Sequence, residues 1–179
     1  MWPLLFGWLS LTPLDNYHFI SRPEPVQRLV SQFDPPLGYE RVSVASGSFG
    51  EWLRDLPLSE DSTVRSYLGN SIAAPVAAVV ELDLGRGNLQ QCADSILRLY
   101  AEYRWSVDKG QGLGFHFSSG DRSDWSKWRT GERFSVRGSK VKRIQNRAVS
   151  NTHSHLLAQV GEPLAGAWPR GATRRHTPP

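Results

Sequence analysis

The sequence predicts an α+β domain, a mostly antiparallel sheet with one main helix packed on it. Three observations carry that expectation. One stretch, Asn88 to Tyr103, has helix-start chemistry and helical spacing of apolar residues. Several short segments alternate in period two between turn signals, around Tyr39–Val44, Val76–Leu84, Leu113–Ser118 and Phe134–Val136. The first half of Val76–Leu84 is apolar on both faces, as suits a central strand of a sheet.

The first residues, Met1 to Leu14, are apolar but lack a basic n-region and a clear cleavage site. They read as a degenerate signal or a loose arm. Interrupted by Pro3 and Pro13, the run is also too short to span a bilayer, and no other stretch is expected to cross one. Residues 1–35 form this lead-in, with a short helical stretch over Val26–Phe33 that Pro35 and Pro36 stop.

A domain is then expected over 36–150. Tyr39–Val44 reads as a short strand. Ser48 and Glu51 have the spacing of a capping box, which opens a helix bearing Phe49, Trp52, Leu53 and Leu56 until Pro57 ends it. Val76–Leu84 reads as the strongest strand, apolar on both faces in its first half, with Glu81 and Asp83 turned one way in its second.

Gly85–Gly87 breaks that strand. Asn88 is a good N-cap with Gln91 at N3, and the helix that follows puts Cys92, Ile96, Leu99, Tyr100 and Tyr103 on one face. Gln90, Asp94, Arg98 and Glu102 fall toward the other, expected to face water. Leu113–Ser118 places Phe115 and Phe117 on one side of a strand and His116 on the other. A turn then leads into a short helix with Trp125 and Trp128. Phe134–Val136 is the last strand. From about Asn151 the pattern dissolves into a Gly-, Pro- and Arg-rich tail, so 151–179 is expected to be disordered.

Composition narrows the function classes. The chain has 179 residues, 39% of them apolar, and a mean hydropathy of −0.41, which suits one soluble domain with some unstructured length. Residues 1–121 hold 9 Lys+Arg against 14 Asp+Glu, net −5; residues 122–179 hold 12 against 3, net +9. Such a basic third can meet an anionic surface. Its cluster of Lys140, Lys142, Arg143 and Arg147 has no interleaved aromatics and matches no nucleic-acid module, so nucleic acid is not expected as a partner.

One cysteine excludes an internal disulfide and any multi-cysteine metal centre. His153 and His155 stand at i, i+2, a ligand spacing for a strand, but nothing nearby completes a set, so no metal and no cofactor are expected.

The blocks Gly38–Val42, Gly47–Leu58, Ala78–Gly85, Leu89–Asp94, Arg98, Ala101–Tyr103, His116–Phe117 and Ser119–Gly120 follow one another in an order that resembles a bacterial family, domain of unknown function 4846. The resemblance covers about 36–147 and brings no activity with it. It implies a further C-terminal segment opening on Gly-His-Ala. Nothing of that kind follows Asn151, so the chain reads as a truncated and inactive member.

The candidate site is Cys92, His116 and Gln91. A thiol in the first turn of a helix feels the positive end of the dipole, which favours the thiolate. A later histidine supplies the base that a thiol nucleophile needs, and a side-chain amide can donate to an oxyanion. That order of residues resembles papain-like and cell-wall peptidase folds and points to a cysteine-dependent amide hydrolase acting on a cell-wall peptide or glycan. The competing account makes Cys92 a core residue. The rival class is a cell-envelope or carbohydrate-binding module that stacks sugars on exposed Trp105, Trp125 and Trp128. Either role suits the cell envelope as a location.

Overall fold

The computed structural model describes residues 17, 27–66, 68–83, 92–138, 140–145 and 148–167; at Cys92 and over 162–167 the description stops at the backbone. The fold is α+β, with every strand pair antiparallel. The described strands form three separate two-stranded pairs, not one continuous sheet. The chain divides into two compact units, Met1–Asp83 and Leu84–Pro179.

The first unit holds α1 (Leu29–Gln32), α2 (Phe49–Arg54), β1 (Val64–Arg65) and β2 (Ser71–Ile72). The capping box forms as expected at one of its two ends. Ser48 Oγ accepts from the Glu51 amide at 3.2 Å, while the Glu51 carboxylate accepts from the Gly47 amide at 2.6 Å, one residue before the cap. Trp52, Leu56, Leu58 and Tyr17 are buried. The Tyr17 hydroxyl donates to the Trp52 carbonyl at 2.9 Å, and burial, aided by Asp55, pushes its ionisation well above the usual phenol range.

Residues 56–59 are bonded on both sides. Leu29 donates to the Leu56 carbonyl and Leu58 to that of Gln27; Ser59 donates to Val79 and Glu81 to Pro57. The run Val76–Leu84, expected as the strongest strand, contributes only this edge. Its described part makes one isolated bridge, Leu58 with Val80, and Val76 is 44% exposed. Apolar content alone supplied the expectation, but a strand needs a partner ladder, and only 79–81 meets one. Tyr39–Val44 likewise forms no strand; Tyr39 and Val42 are exposed.

The second unit holds α3 (Cys92–Asp108), β3 (Gly114–His116), β4 (Arg122–Asp124), α4 (Trp125–Trp128), β5 (Glu132–Arg137), β6 (Lys140–Gln145) and α5 (His153–Ala167). Helix α3 runs five residues beyond the expected end at Tyr103. It stops where Lys109 and Gly110 take positive φ, 57° and 78°. Gly110 is required there twice over, because a Cβ would also meet the Trp125 ring at 3.1 Å. The Trp125 indole then donates to the Lys109 carbonyl at 3.1 Å, tying α4 to this reversal.

Ala101, Trp105, Leu113, Phe115, Trp125, Trp128, Leu156 and Val160 make the core. Two of these lie in α5, within the stretch expected to be disordered. Leu156 and Gln159 are fully buried and Val160 nearly so. Together with His153 they stand at i, i+3, i+6 and i+7, an amphipathic stripe that the Gly and Pro content of the tail obscured. Thr152 starts the helix; its carbonyl accepts from the amides of His155 and Leu156.

Candidate functional site

Asn88, the expected N-cap, lies outside the described residues, and within them α3 runs from Cys92. The Cys92 side chain, and Gln91 altogether, lie outside the described residues. His116 closes β3 opposite Arg122 and is exposed, with Phe115 and Phe117 buried on either side, as the alternation implied.

The three tryptophans offered as an exposed stacking surface are not one. Trp105, Trp125 and Trp128 are 7%, 2% and 3% exposed. Their rings pack on each other, Trp105 edge-on to Trp125 at 6.3 Å and Trp125 stacked on Trp128 at 5.8 Å. Indole area is the cheapest material for a small core, and α5 covers what would otherwise face water.

The face that α3 buries is also different from the expected one. Arg98, Ala101, Glu102 and Trp105 are buried, whereas Ile96 is 64% exposed. The residues assigned to solvent by their charge are therefore central. Arg98 Nε donates to Glu102 Oε1 at 3.1 Å, and both side chains are almost wholly enclosed. His153, from the first turn of α5, places Nε2 2.6 Å from Glu102 Oε2. The ring of His153 lies 5.7 Å from that of Trp105.

Each part of this cluster has a local cause. Positions 98 and 102 are one turn apart, so a carboxylate and a guanidinium there meet on one helix face. Burial of a lone carboxylate is costly, and two charge-assisted partners offset that cost. A carboxylate oxygen accepts, so in this contact His153 Nε2 is the donor. The pattern is a carboxylate-oriented imidazole, the orienting half of many acid–base sites.

Sequence reasoning missed this cluster for two reasons. Charge was taken to mean exposure, and His153 was paired with His155 as if on a strand. On a helix those two diverge. His153 reaches Glu102, and His155 turns to Trp128 at 6.2 Å and to the Thr152 hydroxyl. The signal that was available is the i, i+4 pair Arg98 and Glu102, at positions flanking Ala101 on the same turn. No group of three metal-ligating side chains comes together among the described residues.

The cluster and the cysteine are separate places. Ten residues of helix divide Cys92 from Glu102, about 15 Å along the axis, so His153 cannot serve as the base for that thiol. A second buried polar contact, Gln159 Nε2 to the carbonyl and hydroxyl of Ser123 at 3.0 and 3.1 Å, fixes α5 to β4.

Among the described residues, no helix is long and apolar enough to cross a membrane. A family model described as Domain of unknown function (4846) matches residues 29–160, a span that includes the buried residues of α5. No curated protein and no solved structure matches the chain.

Proposed function

We propose, from the premise that this chain belongs to the domain of unknown function 4846 family, that its second unit is cysteine-dependent amide hydrolase-like and that Cys92 is its nucleophile. The family itself ascribes no activity, so the reading rests on the chain's own residues. What supports it is that Cys92 belongs to a helix described over 17 residues from Cys92 onward, with the sequence's cap signal at Asn88 shortly before it. A helix of that length presents its full dipole at the first turn, and a thiolate there is favoured.

The helix is also well anchored behind its first turns. Arg98, Ala101, Glu102 and Trp105 fasten it to α5 and to the core. A nucleophile at the head of such a helix loses little energy to motion of its own support.

In the proposed reaction the Cys92 thiolate attacks an amide carbonyl carbon and the oxygen takes up the electron pair. Collapse expels the amine, which receives a proton, and water then releases the acid from the thioester. His116, exposed on β3, is the proposed proton carrier, and Gln91 the proposed donor to the oxyanion. A cell-wall peptide or its glycan-linked amide is the proposed substrate class.

The test is the rate of iodoacetamide alkylation at Cys92 measured against pH. An activated thiol gives a midpoint well below the free value of about 8.5. A midpoint at or above that value, with slow labelling, overturns the proposal.

A further inference from the structure

The β5–β6 ribbon carries a cluster of exposed cations. Its register pairs Arg137 with Lys140, Ser135 with Lys142 and Arg133 with Ile144 on one face. Phe134 and Val136, with partners Arg143 and Val141, occupy the other, and Phe134 packs there on Phe117 at 4.9 Å. Opposite residues of an antiparallel pair share a face, so Arg137, Lys140 and Lys142 stand together.

At the open end of the ribbon this face meets α4, where the Arg133 guanidinium lies 3.3 Å from the centre of the Trp128 ring. Toward the turn it is open. Arg137, Lys140 and Lys142 are exposed, and a Cβ on Gly138 at the turn would touch nothing within 4 Å. Arg143 stands on the opposite face with Phe134, its Nη2 3.4 Å from the Arg122 carbonyl. None of Arg137, Lys140 and Lys142 has a carboxylate partner among the described residues.

Three like charges on one face repel one another. An anionic partner would relieve that repulsion. Ile144, 39% exposed, lies on the same face as the lysines, so the surface combines cations with one aliphatic side chain. That combination suits a lipid headgroup region, where each nearby Lys or Arg adds about 1 kcal/mol of attraction and an aliphatic group can enter the interface. A nucleic-acid surface would call for rings on which bases can stack. The ribbon's one aromatic, Phe134, is turned inward on Phe117.

We infer that the turn end of the β5–β6 ribbon, through Arg137, Lys140 and Lys142, is a docking surface for an anionic lipid bilayer. This inference is independent of Cys92 and stands or falls apart from the hydrolase proposal.

Co-sedimentation of the full chain with phosphatidylserine/phosphatidylcholine vesicles, against phosphatidylcholine alone, tests it. Binding should require phosphatidylserine and weaken as salt rises. R137Q/K140Q/K142Q should lower the partition coefficient by about a hundredfold, at about fivefold for each cation. K140R/K142R, which keeps the charge, should bind as the wild type does, with both variants melting as the wild type melts. Equal binding to the two vesicle types, wild-type binding by the glutamine variant, or capture by duplex DNA without capture by vesicles would each overturn the inference.

Discussion

His153 reaches back across 51 residues to set its Nε2 2.6 Å from Glu102 Oε2. That bond joins the first turn of the last helix to the middle of the longest one. It also completes the coordination of a carboxylate that is 1% exposed and already bonded to Arg98. Two residues expected on solvent faces or in a disordered tail thus meet in the interior.

Removing one member of this cluster should cost far more than removing the charge pair as a unit. Glu102→Ala leaves Arg98 buried without its anion, and a loss of about 3–5 kcal/mol is expected. Arg98→Met with Glu102→Leu should cost much less than the two single changes added together. Urea unfolding of the three variants checks this. Additive losses would show that the pair is not coupled.

The last helix should be indispensable to the second unit. Leu156 is fully buried, so Leu156→Ala should destabilise by about 2–5 kcal/mol. A chain ending at Asn151 should lose the near-ultraviolet circular dichroism of the packed tryptophans. A cooperative melt of that shortened chain with its aromatic signal intact would restore the picture of 151–179 as a dispensable tail.

Gln159 should tolerate little change. Its amide bonds Ser123 twice, and both residues are fully enclosed. Gln159→Leu leaves the Ser123 hydroxyl and carbonyl short of a partner, and a loss of about 1–3 kcal/mol is expected. Thermal melts of Gln159→Leu alone and with Ser123→Ala measure it. The double variant should recover part of the loss, since one orphaned group is then gone.

The carboxyl of Asp61 is held below its ordinary value of 3.8 by hydrogen bonds from Thr63, with Arg65 adding to them. Because the folded value is the lower one, the stabilisation is fully present above the ordinary carboxylate range. It fades as pH falls through the lowered value. Carbon-13 titration of the Asp61 carboxyl should place its midpoint below that of a model peptide, and Asp61→Asn should flatten that part of the acid limb. A midpoint at the model value would remove the Thr63 contacts from the account.

What the sequence made legible was local. The Ser48 cap, the alternation of Phe115, His116 and Phe117, and the short helix of Trp125 and Trp128 each depend on a few adjacent residues, and all three appear. The errors depend on partners far along the chain. Arg98 and Glu102 can be buried only because His153 arrives from α5. The tryptophans are covered only because Leu156 and Val160 close over them. Val76–Leu84 lacked a full ladder, which apolar content cannot supply. β6 went unseen because Lys140, Lys142 and Arg143 read as a charge cluster, although the turn at Gly138 and the register from Glu132 to Gln145 make it a strand. Of the candidate site, the exposure of His116 was readable, since it follows from local pattern; the residues that would start α3 ahead of Cys92 lie outside the described ones.

The stacking of Trp125 on Trp128, with Trp105 at its edge, gives the second unit its own optical marker. Indoles this close exchange excitation and produce paired circular-dichroism bands that a lone ring does not. The coupled bands of these three rings report on the packing of the second unit, and a denaturation curve read at those wavelengths can be set beside one read on the amide resonances of the first unit. A difference in midpoint between the two would reveal how far each half of the chain stands on its own.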